Sequence, residues 1–301
     1  MSAPSWRVAA FAAALAAIFA VALVAGKAID PKADAAPDAA GREHAPAEMG
    51  GMDAAGDGHA TVARGAATTA PGLAVAGDGL RLVADRPTLQ AGQTNDYTFR
   101  IVDAHGAGVR DFALEHGKRL HLIVVRRDLT GYQHLHPALR ADGTWTVPLR
   151  LTAPGSYRVF ADFTPAGGAK TTLGTDVLVD GDARYAALPA PAAHATADGY
   201  DVAISGTPAA GRMGKLAFTV TRGGVPVTDL QPYLEARGHL VALRAGDLAY
   251  LHVHPEDEAT PGDRISFMTE LPTAGRYRLF LQFKHEGRIH TVAFTQEVVS
   301  R

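Results

Sequence analysis

The chain has 301 residues, with 29 Lys and Arg against 31 Asp and Glu, 13 His and no Cys. Its length fits one large domain or two ordinary ones at roughly 100–200 residues each, and 47% apolar with 20% charged residues marks a globular chain. The missing Cys excludes disulfides, thiolate catalysis, iron–sulfur clusters, thiolate zinc sites and blue copper electron transfer, while a net charge of −2 offers no basic field for nucleic acid.

Residues 1–26 predict a membrane segment. Arg7 precedes nineteen uncharged residues, 8–26, reading VAAFAAALAAIFAVALVAG. That run can span a hydrocarbon core of about 30 Å at about 1.5 Å per residue. Ala20, Val21 and Ala22 form a small-residue cleavage candidate, so a removed signal peptide is the competing reading. The apolar run continues through Leu23, Val24 and Ala25, which favours an anchor. Either way, export is expected.

Residues 27–72 are rich in Ala, Gly, Pro and Asp, without an aromatic side chain. Such a stretch buries too little apolar surface to offset its ordering entropy, which predicts a disordered tether. His44, Met49, Met52, Asp53 and His59 lie within it. Thioether and imidazole together suit a soft metal such as copper, against the plainer reading of a solvated linker.

The remainder is a tandem repeat, with units expected at 73–181 and 199–301 and a linker at 182–198. Phe112, Glu115, His121, Tyr132, His134, His136 and Pro137 find counterparts in Tyr233, Glu235, His239, Tyr250, His252, His254 and Pro255. Downstream, Gly155, Tyr157, Phe160 and Phe163 match Gly275, Tyr277, Phe280 and Phe283. Short alternating runs at 97–102, 120–125, 145–151 and 157–163, separated by Gly- and Asp-rich turns, predict strands. The expected fold class is all-β: two tandem immunoglobulin-like antiparallel β-sandwiches after an N-terminal transmembrane helix and a tether.

Each unit carries a His-x-His pair, and period-two alternation puts both rings on one face of a strand. A further His stands thirteen residues before the pair in both copies. A turn near Gly246 and Asp247 would set Val241 opposite His252 and His239 opposite His254; the same arithmetic opposes His121 and His136. Directly opposed residues share a face, so His121, His134 and His136 should converge, as should His239, His252 and His254. Three imidazoles on a rigid platform are a common shell for copper or zinc. Glu115 and Glu235 are the candidate fourth ligands. The competing reading makes these histidines structural or pH-sensing groups. His285 and His290 form an unrepeated pair, fitting a polar turn or an addition to the second site.

The segment 238–255, reading GHLVALRAGDLAYLHVHP, resembles that of uncharacterised bacterial membrane-anchored proteins with tandem immunoglobulin-like or cupredoxin-like His-rich domains, of the type associated with copper handling. The resemblance covers the centre of each repeat. It implies an extracytoplasmic β-domain and metal association, but supplies no activity. The expected function is a non-catalytic, membrane-tethered protein binding copper, or zinc next, and meeting a membrane transporter or cell-envelope partner. The alternative is an interaction module with structural histidines. A third reading rests on Gly246, His252, His254 and Glu258, which imitate the first metal motif of cupin enzymes; the partner motif is missing, and the first unit has Arg140 at the glutamate position.

Overall fold

The computed structural model describes residues 70–255 and 264–300, and all regular structure among them is β-strand. Accordingly, no helix among the described residues is long and apolar enough to cross a membrane. The expected anchor, and the tether up to residue 69 with its His and Met residues, lie outside the described residues.

The first repeat is built from β1 (Ala76–Gly77), β2 (Leu80–Ala84), β3 (Thr88–Leu89), β4 (Thr94–Val102), β5 (Leu120–Arg126), β6 (Gln133–Leu135), β7 (Ala138–Leu139), β8 (Trp145–Arg150), β9 (Gly155–Phe163) and β10 (Thr171–Val179). They form two five-stranded sheets, ordered β1-β2-β4-β8-β7 and β3-β10-β9-β5-β6. Within these, β2-β4-β8-β7 and β10-β9-β5-β6 reproduce the two sheets of an immunoglobulin sandwich with the extra strand of the variable type.

The second repeat follows the same plan through β11 (His194–Ala197), β12 (Tyr200–Ser205), β13 (Met213–Arg222), β14 (Val225–Pro226), β15 (Gly238–Arg244), β16 (Tyr250–Pro255), β17 (Arg264–Glu270), β18 (Gly275–His285) and β19 (Arg288–Val298). Here β16 pairs with both β15 and β17, joining the two layers into one bent sheet. Strand β11 falls inside the stretch assigned to the linker and adds an edge strand beside β12.

A second feature fixes the class. Tyr157 and Tyr277, near the starts of β9 and β18, each donate a hydroxyl hydrogen bond to the backbone carbonyl four residues earlier, Ala153 and Thr273, both at 2.9 Å. This is the tyrosine corner of immunoglobulin-like domains, present in both copies.

Alternation explains the core. Leu120, Leu122 and Val124 of β5 pack with Tyr157, Val159, Ala161 and Phe163 of β9 inside the first sandwich. Leu240, Ala242, Tyr277, Leu279, Leu281 and Phe283 do the same in the second. The opposite faces of these strands are also buried, because the two repeats cover one another. Ile123, Val125, Leu129 and Phe160 from the first share a cluster with Val241, Leu243, Leu248, Tyr250 and Phe280 from the second. The Tyr132 ring stacks on Phe280 at 4.1 Å, and Tyr250 meets Phe160 at 5.3 Å, so the contact repeats with the roles exchanged.

Residues 70–74 close this interface at one end. Tyr250 N–H donates to the Pro71 carbonyl at 3.0 Å, and Gly72 N–H to Thr172 at 3.0 Å. The Arg158 guanidinium donates to the Gly72 carbonyl at 2.6 and 3.2 Å. Gly72 has φ of 74°, and a Cβ there would run into the Phe160 ring.

Candidate metal centre

The β5–β6 hairpin assembles the first triad. Its register pairs Ile123 with His134 and Leu122 with Leu135, which continues to the expected opposition of His121 and His136. His121 shares the face of Ile123 and Val125 and is 1% exposed, while His134 and His136 are half-buried. One ligand-capable atom from each of the three lies within 4.8 Å of the others.

The hydrogen bonds assign the tautomers. His121 Nε2–H donates to the Glu115 backbone carbonyl at 3.1 Å, leaving Nδ1 as its bare nitrogen. His134 Nδ1–H donates to Gln282 Oε1 at 2.7 Å, leaving Nε2 bare. These two bare nitrogens face each other at 2.9 Å, and His136 Nε2 stands 3.3 Å from the same His121 Nδ1. Two lone pairs repel at that distance unless a cation sits between them, either a proton or a metal ion. Nitrogens around one tetrahedral ion, at about 2.0–2.1 Å from it, stand about 3.3 Å apart. The His121–His136 spacing matches that value and the His121–His134 pair stands closer, so the donor set suits a copper or zinc ion once that pair parts slightly. Each His partner on the far ring nitrogen is the kind that orients metal-bound imidazoles.

Burial, with the electrostatic influence of neighbouring His121 and Lys118, pushes the His136 pKa down to about 4, so its ring is neutral at pH 7. Neutral imidazole is the form that ligates.

The Glu115 carboxylate is engaged elsewhere. It accepts from Lys170 Nζ at 2.7 Å and from the Thr164 hydroxyl, and these bonds hold its pKa below the usual carboxylate value against the cost of burial. What Glu115 gives the triad is its backbone carbonyl. Glu235 is exposed, in a turn where Leu234 and Glu235 both have positive φ, 55° and 64°.

In the second repeat, the register sets Val241 opposite His252 as expected, with His254 continuing onto Met268 of β17. Glu258 of the cupin-like motif lies outside the described residues. His239 is 3% exposed, beside Val241 on the face that meets the first repeat. Its ring centroid is 4.4 Å from that of His134 and 5.8 Å from that of His121. Gln282, beside His239 in the β15–β18 register, is the acceptor for His134. Its counterpart in the first repeat is Asp162, paired with His121, fully buried and bonded to Thr172 at 2.8 Å.

His285 and His290 stand apart from this cluster. His285 bridges Tyr200 at 2.7 Å and Asp229 at 3.0 Å, while His290 Nδ1–H donates to Asp198 Oδ2 at 3.0 Å. They brace the end of the β18–β19 hairpin. Sequence reasoning missed Gln282, since a lone Gln on a strand carries no ligand signature.

Fold and site together define a tandem immunoglobulin-like β-sandwich protein with a histidine cluster where its two sandwiches meet. The chain belongs to the family described as a domain of unknown function (DUF8832), whose model matches residues 74–181 and again 195–300. No curated protein matches it. Among solved structures, it is similar to the Escherichia coli adhesin FdeC at 17% identity and a TM-score of 0.24, over 75% of this chain and 66% of that one. Fibronectin(III)-like modules of Clostridium thermocellum CbhA align at 12% identity and 0.21, over 73% and 94%. A titin tandem of immunoglobulin domains aligns at 14% and 0.20, over 73% and 97%.

Proposed function

We propose that this protein binds a transition-metal ion, copper(II) first and zinc second, through His121 Nδ1, His134 Nε2 and His136 Nε2, as a binding protein rather than an enzyme. The observation that carries this reading is the 2.9 Å approach of His121 Nδ1 and His134 Nε2, whose opposite ring nitrogens each face a carbonyl oxygen, with His136 Nε2 at 3.3 Å from the same His121 Nδ1. Imidazole suits both metals, and copper(II) heads the affinity order for such ligands. The apolar run 8–26 supports a membrane-tethered, extracytoplasmic setting, in which a transporter or cell-envelope protein would be the exchange partner.

Calorimetric titration of copper(II) and zinc into the metal-free full-length chain tests it. Saturable binding that disappears in His134→Ala is expected. Weak, non-saturable heats unchanged by that substitution would overturn the reading.

A further inference from the structure

We infer that the centre is composite: the second repeat completes it, with His239 as a fourth imidazole and Gln282 as the residue that positions His134. This rests on the metal-binding reading above and adds that one repeat alone does not make the site.

Three observations carry it. The first is reach. Imidazole centroids around a single tetrahedral ion stand about 5.2 Å apart for bonds of about 2.0–2.1 Å. The centroids of His121, His134 and His136 are 4.7–5.2 Å from one another, and His239 lies 4.4 Å from His134 and 5.8 Å from His121, bracketing the same value. The second is orientation. The proton of His134 is fixed on Nδ1 by Gln282 Oε1, 148 residues away in the other repeat, at 2.7 Å. The Gln282 amide is itself oriented, because its nitrogen donates to Thr291 Oγ1 at 3.1 Å. Without that acceptor, His134 is free to place its proton on Nε2, the atom that faces His121.

The third observation is rigidity. His121 and His239 each continue a strand face whose next residues, Ile123 and Val241, belong to the buried cluster between the repeats. The rings from the two repeats are thus held at fixed separation by packing, as preorganised ligands require. A bound ion would tie the two sandwiches together and report on their contact.

The test uses the full-length chain and copper(II) as the probe, with wild type, His134→Ala, His239→Ala and Gln282→Leu compared. Thermal unfolding in chelator establishes that each variant folds. Gln282→Leu, close in shape, serves if His239→Ala does not. The composite centre predicts loss of binding in His134→Ala and at least tenfold weaker binding in His239→Ala and in Gln282→Leu, the scale set by partners that orient ligands. The copper(II) electron paramagnetic resonance spectrum of His239→Ala should show one fewer coordinated nitrogen. Wild-type affinity and an unchanged spectrum in both variants, with binding still abolished in His134→Ala, would overturn the composite centre while leaving the first-repeat triad standing. Absence of saturable binding in the wild type would overturn both.

Discussion

His121 Nδ1 and His134 Nε2 lie 2.9 Å apart, and in each ring the opposite nitrogen is the one that donates a hydrogen bond. That relationship is what the proposed metal-binding reading rests on. A proton can bridge the gap, and a metal ion bound there would take its place.

Metal-free protein should lose stability on mild acidification. The ordinary His pKa is 6.5, and burial with the electrostatic influence of His121 and Lys118 holds folded His136 down to about 4. Above about pH 6.5 both folded and unfolded forms are neutral and His136 contributes nothing. Between these values the unfolded chain takes up a proton that the folded one refuses, so stability falls as pH drops from about 6.5 to about 4. Urea midpoints measured across that window should slope accordingly, and His136→Gln should flatten the slope. Parallel slopes for the two proteins would contradict the assignment.

Truncating Phe280 should strike the joint between the repeats. Its ring stacks on Tyr132 across the interface at 4.1 Å and is 3% exposed. Phe280→Ala leaves a cavity there, with an expected cost of about 3–5 kcal/mol. Denaturant unfolding reads the loss. Copper binding by the same variant should weaken in proportion to how far the two histidine-bearing faces separate.

The tyrosine corners predict smaller, matched effects. Tyr157→Phe and Tyr277→Phe each remove one 2.9 Å hydrogen bond to a backbone carbonyl while keeping the ring in the core. Each should cost about 1–2 kcal/mol in denaturant unfolding. Tyr277 additionally meets Thr273 Oγ1 at 2.9 Å, so its loss should be the greater.

Much of this architecture is legible in the sequence because it is local. Alternation gives the strands, and turn position fixes register. The pairings of Ile123 with His134 and of Val241 with His252 follow from arithmetic on two hairpins. The doubly apolar character of β5 is visible too, as Leu120, Leu122 and Val124 on one face and Ile123 and Val125 on the other. What covers the second face is not visible, since no local pattern says that the two repeats pack against each other. For the same reason Gln282 and His239 could not be tied to His134: their approach depends on two sheets meeting over a separation of more than a hundred residues. Glu115 illustrates the reverse case. Its position in the repeat is plain, but its carboxylate is claimed by Lys170 and Thr164, neighbours supplied by the 164–170 connection that the repeat pattern does not mark.

The central claim is that a metal ion sits among the three nitrogens of the first triad. Anomalous scattering from zinc-soaked crystals measures this directly. The account predicts a peak at about 2.0–2.1 Å from His121 Nδ1, His134 Nε2 and His136 Nε2. No peak there under saturating zinc, with the two facing nitrogens still 2.9 Å apart, would contradict it.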